Sequence, residues 1–292
     1  MTDDERVAWI GRVRVPGRLG EHTIRIWTDG AAPGPDADVE VIADPFLAAH
    51  PRHGDPSLDA GVLARELPVL ADGPSGKLVG FELAPPVPGG KLLCVGRNYR
   101  AHAEEFGNEV PEDPILFFKP SSALLASGAP LDLPRGFERI DMESELVAVI
   151  GKTAHAVAEE DALQHVAGYT LGNDVSCRDL QRGDKLWTRG KGFDGFAPCG
   201  PFVRLTPAGE PLPGAARVRG FLDDGLKQDA PISDMVFSLA FVIAYISKVM
   251  TLEPGDLLYT GTPAGVAPLS PGQVVRIELT GFDLGRLVTP LR

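Results

Sequence analysis

Two glutamates, Glu143 and Glu145, precede an apolar segment at residues 146–150. The segment is rich in branched residues and stops at Gly151, which predicts a buried strand. Side chains alternate along a strand, so the two carboxylates face the same way. Adjacent negative charges at a core strand repel each other and resist desolvation, and a bound cation relieves both effects. Taken alone, the pair is more often solvated, with the strand beginning only at Leu146. The other motifs of the chain favour the cation site.

A third carboxylate, Asp174, ends another predicted strand at residues 169–175. Arg178 and Gln181 follow it on a predicted helical turn.

His102 and Glu105 lie on a short predicted helix that Asn98 caps and Gly107 ends. Three residues apart, their side chains share one face. A carboxylate beside an imidazole orients the ring and raises its basicity, as a general base acting on water requires. The same spacing is common in surface pairs, so the pattern alone leaves both interpretations open.

A Thr/Gly-rich loop at residues 260–265 follows a predicted strand. Its backbone N–H groups and hydroxyls, including that of Thr262, could donate to a substrate carboxylate. A simple turn is the alternative.

The composition excludes several classes of protein. Forty acidic and 28 basic residues give a formal charge of −12, which argues against nucleic-acid binding. The first residues lack the apolar region of a signal peptide. The longest apolar run, at residues 235–246, is shorter than the roughly 20 residues of a membrane-spanning helix. We therefore expect a cytoplasmic protein with no membrane or nucleic-acid partner.

The chain divides at a Pro/Gly-rich stretch, residues 84–90. Before it, short alternating segments and Gly/Pro/Asp turns predict a small β-rich N-terminal domain over residues 1–88. Residues 89–292 carry the candidate site and form the predicted catalytic domain.

Several motifs together resemble the fumarylacetoacetate hydrolase family over residues 91 to 292, in family order. They are Gly96-Arg97-Asn98-Tyr99 with His102, Glu143-x-Glu145-Leu146, Gly168-Tyr169-Thr170, Asn173-Asp174-Val175-Ser176 with Arg178-Asp179 and Gln181, Gly190-Lys191 with Phe193-Asp194, Ala197-Pro198 with Gly200-Pro201, and Pro254-Gly255-Asp256 leading to Thr260-Gly261-Thr262-Pro263-Ala264-Gly265-Val266. No single motif is specific, but the ordered set is.

The resemblance implies an α+β fold, with mixed β-sheets rolled around a pocket and helices at the periphery. It also implies a homodimer. A divalent metal, Mg²⁺ or Mn²⁺, is implied on Glu143, Glu145 and Asp174.

The implied substrate is a small 2-oxo acid with a second carbonyl. Its C–C bond is cleaved through a metal-bound enolate that Lys191 also stabilises. His102, oriented by Glu105, activates water. By position, Arg178, Gln181 and Thr262 match substrate contacts.

The leading interpretation is a metal-dependent hydrolase of an acylpyruvate- or fumarylacetoacetate-like diketo acid. Decarboxylation of a β-keto diacid such as oxaloacetate, or an isomerase or hydratase step of aromatic catabolism, shares the same enolate chemistry and is the alternative. A third class is a non-catalytic relative that binds a metabolite. The sequence argues against it, because all three carboxylates and both members of the His/Glu pair are present.

Overall fold

A computed structural model describes residues 6–17, 19–55 and 57–292. The strands are β1 (Val7–Arg14), β2 (Glu21–Thr28), β3 (Asp38–Val41), β4 (Gly76–Lys77), β5 (Glu82–Ala84), β6 (Leu92–Gly96), β7 (Ile115–Lys119), β8 (Leu124–Ala126), β9 (Ile140–Met142), β10 (Ser144–Ile150), β11 (Val166–Asn173), β12 (Ser176–Cys177), β13 (Ala197–Leu205), β14 (Arg217–Leu222), β15 (Gly225–Pro231), β16 (Leu257–Tyr259), β17 (Ala267–Pro268), β18 (Val274–Thr280) and β19 (Arg286–Pro290). The α-helices are α1 (Pro45–Ala48), α2 (Ala60–Glu66), α3 (Arg100–Glu105), α4 (Arg178–Gly183), α5 (Thr188–Lys191) and α6 (Leu239–Ser247).

Among the residues that the structure describes, three sheets form the framework. The largest has 12 strands, ten of them in the order β4-β3-β2-β1-β13-β11-β10-β16-β6-β7, with β5 on β1 and β8 on β13. Most of its pairs are antiparallel, whereas β16–β6 and β13–β8 are parallel. A three-stranded sheet, β12-β9-β17, and a four-stranded sheet, β15-β14-β18-β19, complete the set. The expected mixed β fold with peripheral helices is confirmed.

Strand β10 is apolar throughout its second half because both of its faces are covered. Leu146, Ala148 and Ile150 pack in one core with side chains of α6 and β18. Val147 and Val149 pack in a second core with side chains of α1 and α2. Each buried Leu, Ile or Val side chain among them contributes roughly 1.5–3 kcal/mol, so the strand is a firm support for the residues at its start.

The N-terminal strands extend the large sheet. Strand β1 pairs with β13, opposing Ile10 to Val203, and β5 returns to pair with β1. Sheet pairing therefore crosses the predicted boundary near residue 88, and the division into two domains stays a prediction.

Two helical segments of the chain differ in type. The apolar run at residues 235–246 becomes helical only at Leu239, because the Ser238 hydroxyl caps α6 by accepting from the Phe241 N–H. The second segment, Glu159–His165, is a 3₁₀ helix. Within the described ranges, the helices are too short or too polar to cross a membrane.

Candidate active site

The three carboxylates meet because of the register between β10 and β11. These antiparallel strands oppose Ser144 to Asn173, which places Glu143 and Asp174, the next residue on each chain segment, side by side. The Asp174 N–H donates to the Glu143 carbonyl over 2.9 Å. One carboxylate oxygen each of Glu143, Glu145 and Asp174 lies within 4.8 Å of the others, and all three residues are buried.

Cations surround two of these carboxylates. Lys191 Nζ lies 2.8 Å from Glu143 Oε2 and 2.6 Å from Asp174 Oδ2. Lys119 donates to the other Asp174 oxygen, and Arg178 Nη2 lies 2.6 Å from Glu143 Oε1. Burial raises the pKa of Glu143, but the charges of Lys191 and Arg178 outweigh it and hold that pKa below its ordinary value. Glu143 is therefore ionised.

Glu145 is the carboxylate that lacks a cation. It accepts a hydrogen bond of 2.8 Å from the Gly261 N–H, and among the residues the structure describes it forms no ion pair. Burial and the charges of Asp174 and Glu143 raise its pKa well above the ordinary value. A buried carboxylate in this state, beside two others, fits a site for a hard divalent cation such as Mg²⁺ or Mn²⁺.

The Gly261 donor depends on the absence of a side chain. Its φ is +101°, and a Cβ there would lie 2.7 Å from Asn98 Cβ. The prediction that Asn98 caps the helix of His102 is wrong, because Tyr99 precedes α3 and no side chain caps it. Asn98 is instead fixed by its amide, which donates to the carbonyls of Phe237 and Thr260. The loop after β16 and the segment after β6 are thereby joined beside the carboxylates.

The predicted pair on α3 is formed. His102 Nδ1 lies 3.2 Å from Glu105 Oε2, and the other Glu105 oxygen accepts from the Gly265 N–H. A proton on Nδ1, facing the carboxylate, leaves Nε2 as the basic nitrogen. The His102 ring also meets Phe106 edge-on at 5.3 Å.

The predicted substrate contacts are already linked to the framework. Arg178 donates to Gln181 Oε1 across one turn of α4, over 2.6 Å. The Thr262 hydroxyl donates to the Ser144 carbonyl and accepts from the Gln228 amide.

A cavity of about 310 Å³ joins these groups, a size within the range of small-molecule sites. It is lined by Glu143, Glu145, Asp174, His102, Lys191, Arg178, Gln181 and Thr262, whereas Glu105 stands behind His102. The structure thus brings the predicted residues together, and their individual roles stay predictions.

Three supporting residues were not predicted. Lys119 ends β7 and contacts Asp174, and buried Asp141 accepts from Arg178 Nε over 2.8 Å. Buried Gln228 accepts from the Ser144 N–H and holds Thr262. For Asp141 a local signal existed, because it continues the alternation of Glu143 and Glu145.

Comparisons with known proteins identify the relatives of this chain. Residues 91–292 match the family model described as fumarylacetoacetate (FAA) hydrolase, C-terminal. The mitochondrial oxaloacetate decarboxylase of Dictyostelium discoideum is 40% identical over 202 residues, 67% of this chain and 91% of that protein.

Two solved structures are also similar. The 5-carboxymethyl-2-hydroxymuconate delta-isomerase of Mycobacterium smegmatis is 33% identical, with a TM-score of 0.76 over 97% of this chain and 98% of that one. The fumarylpyruvate hydrolase of Pseudomonas aeruginosa, in complex with Mn²⁺ and pyruvate, is 35% identical, with a TM-score of 0.64 over 70% of this chain and 90% of that one. The chain belongs to the fumarylacetoacetate hydrolase family.

Proposed function

We propose that this protein is a metal-dependent hydrolase that cleaves a C–C bond in an acylpyruvate-like diketo acid. The observation that carries the proposal is the shared cavity, whose wall includes both the three carboxylates and His102 with Glu105 behind it. A charge-binding centre and a water-activating base are the two parts that such a hydrolysis needs.

Glu143, Glu145 and Asp174 would hold Mg²⁺ or Mn²⁺. When bound, the cation supplies positive charge that polarises a 2-oxo acid and stabilises negative charge on it. The raised pKa of Glu145 supports this assignment, because burial and two neighbouring carboxylates disfavour its ionised form without a cation. The Mn²⁺ and pyruvate bound to the fumarylpyruvate hydrolase of Pseudomonas aeruginosa support it too.

Lys191 acts as a fixed positive charge. Burial lowers its pKa, but Asp174 and Glu143 outweigh burial and raise the pKa overall, so the amine stays protonated. A protonated lysine stabilises a developing enolate and is neither a base nor a nucleophile. Arg178, Gln181 and Thr262 orient the substrate from the same cavity wall.

His102 takes the proton. Water adds to the carbonyl remote from the 2-oxo acid group and gives one proton to His102 Nε2. The C–C bond next to that carbonyl then breaks, and its electron pair passes to the pyruvate half as an enolate. The proton held by His102 passes to the enolate carbon, which gives pyruvate and returns His102 to its neutral form. Glu105 keeps the ring oriented and stabilises the imidazolium that forms.

Decarboxylation of a β-keto diacid is the second candidate, with isomerisation or hydration as variants of the same enolate chemistry. It is favoured by the 40% identity to a protein named oxaloacetate decarboxylase. We propose in addition that the protein is a cytoplasmic homodimer, which the family resemblance suggests and light scattering on the purified protein tests.

The test of function is a panel of acylpyruvates, oxaloacetate and muconate-type diacids, each supplied with Mg²⁺ or Mn²⁺ and followed by NMR of the products. We expect acylpyruvates to give pyruvate and a second acid. Carbon dioxide from oxaloacetate, with acylpyruvates left intact, would favour the decarboxylase instead.

A further inference from the structure

Arg97 places an additional positive charge on the cavity wall. It lines the cavity and is partly exposed, whereas the three carboxylates are buried. Lys119, Lys191 and Arg178 each contact a buried carboxylate. Within residues 6–17, 19–55 and 57–292, the Arg97 guanidinium has no hydrogen bond or ion pair of its own. The positive charge of Arg97 is therefore available to a ligand.

The backbone at Arg97 is held in an unfavourable conformation. Its φ is +57°, in the left-handed region that non-glycine residues rarely adopt. On one side, Gly96 is pressed against Trp187, where a Cβ would lie 2.6 Å from the ring. On the other, buried Asn98 is tied to the Phe237 and Thr260 carbonyls. Backbone strain of this kind, held in place by neighbouring residues, is found mainly at functional sites.

The other arginine at the opening is engaged elsewhere. Arg182 is exposed and donates to the Arg178 carbonyl over 3.3 Å. Backbone hydrogen bonds lower the pKa of the nearby Asp179 carboxyl, and the charge of Arg182 lowers it further. Solvent screens a charge in this position. Arg97 is therefore the better candidate for a ligand contact.

We infer that Arg97 binds a second carboxylate, carried by the end of the substrate remote from the 2-oxo acid group. The inference rests on the proposed function, which places the 2-oxo acid group at Glu143, Glu145 and Asp174. Arg97 lies on a more exposed part of the cavity wall than the three carboxylates. It therefore faces the end of the substrate that extends away from the carboxylates toward solvent. A guanidinium binds a carboxylate through two parallel hydrogen bonds. Arg97 thus selects 2-oxo diacids over 2-oxo acids with a neutral tail.

The first test compares Arg97→Gln with wild type on two acylpyruvates, one ending in a carboxylate and one in a methyl group. Loss of a charge-assisted hydrogen bond predicts a decrease of about 10- to 100-fold in kcat/KM for the diacid. The methyl compound should change by less than about threefold. Arg97→Lys keeps the charge and should restore part of the preference. Arg100→Gln, at the exposed start of α3, is the control and should leave both values unchanged.

The second test measures binding and needs no turnover. Calorimetry with Mn²⁺ present compares 2-oxoglutarate, a diacid, with 2-oxobutanoate, which has a neutral tail. Selective weakening of 2-oxoglutarate binding in Arg97→Gln supports the inference, even if no acylpyruvate is cleaved and the proposed function fails. Equal weakening of both compounds, no weakening of either, or a wild-type protein that binds neither would overturn it.

Discussion

Lys191 Nζ lies 2.6 Å from Asp174 Oδ2 and bridges to Glu143 Oε2 at 2.8 Å. One ammonium therefore links two of the three carboxylates at the base of the cavity. Both of these carboxylates come from chain segments that β10 and β11 hold side by side, whereas Lys191 comes from the end of α5. The charge that we assign to enolate stabilisation also holds the site together.

Lys191→Ala should damage acylpyruvate cleavage and oxaloacetate decarboxylation alike, since both pass through an enolate. Loss of one fixed stabilising charge predicts a decrease of about 10²–10³ in kcat. Steady-state kinetics with both compounds measure it. Lys185→Ala, at an exposed position beyond α4, is the control. Undiminished activity of Lys191→Ala with either compound would contradict the assigned role.

Glu145→Gln should abolish tight metal binding while the sheet stays folded. Replacing residues that only support a ligand costs 10–100-fold in metal affinity, so loss of a ligand should cost at least about 100-fold. Calorimetry with Mn²⁺ measures the affinity, and circular dichroism checks the fold. An affinity equal to that of wild type would remove Glu145 from the metal site.

Metal binding should also depend on pH, with a definite sign. The pKa of Glu145 is raised by burial and by Asp174 and Glu143, so a proton competes with the metal above the ordinary glutamate range. Affinity should therefore increase with pH until that carboxyl is ionised, with proton release on binding. Calorimetry in buffers of different ionisation enthalpy detects the released proton. An affinity that does not change between the ordinary glutamate range and neutral pH, with no proton released anywhere in that interval, would refute the account.

Helix α3 and the following residues to 114 should form a lid over the cavity. Phe106 is 39% exposed, and the Gly265 N–H to Glu105 bond fastens the helix to the opposite loop. Residues 104–107, 109, 112 and 113 are exposed, so little buried surface opposes local opening of this segment. Hydrogen exchange at residues 101–113 should be faster than at 146–150 and should slow when Mn²⁺ and pyruvate are added. Exchange already as slow as in β10 without ligand would exclude a lid.

The carboxylate centre was predictable because its signals are local. Alternation around Glu143 and Glu145 and the apolar run after them predict a strand, and Asp174 stands at the end of another. The structure starts β10 at Ser144, so Glu145 lies on the strand and Glu143 just before it. The fold class, in contrast, was predicted from the family motifs and not from the apolar runs.

The supporting contacts were not predictable, because they join distant parts of the chain. Lys119 and Asp174 are 55 residues apart, and Gln228 is 84 residues from Ser144. A single sequence gives no signal for such pairs when each residue is ordinary in its own segment. The pairing of β1 with β13 is missed for the same reason.

The most direct test of the central claim compares two activities in His102→Ala. Proton abstraction by a positioned base is worth roughly 10²–10⁴ in rate, so acylpyruvate cleavage should fall by about that factor. Metal affinity should be unchanged in this variant, because His102 is not a ligand. The control is His155→Ala, at an exposed position, which should behave as wild type. Decarboxylation needs no activated water, so any oxaloacetate decarboxylase activity should largely persist. The account predicts a ratio of cleavage to decarboxylation that falls by orders of magnitude in His102→Ala, and an unchanged ratio would contradict it.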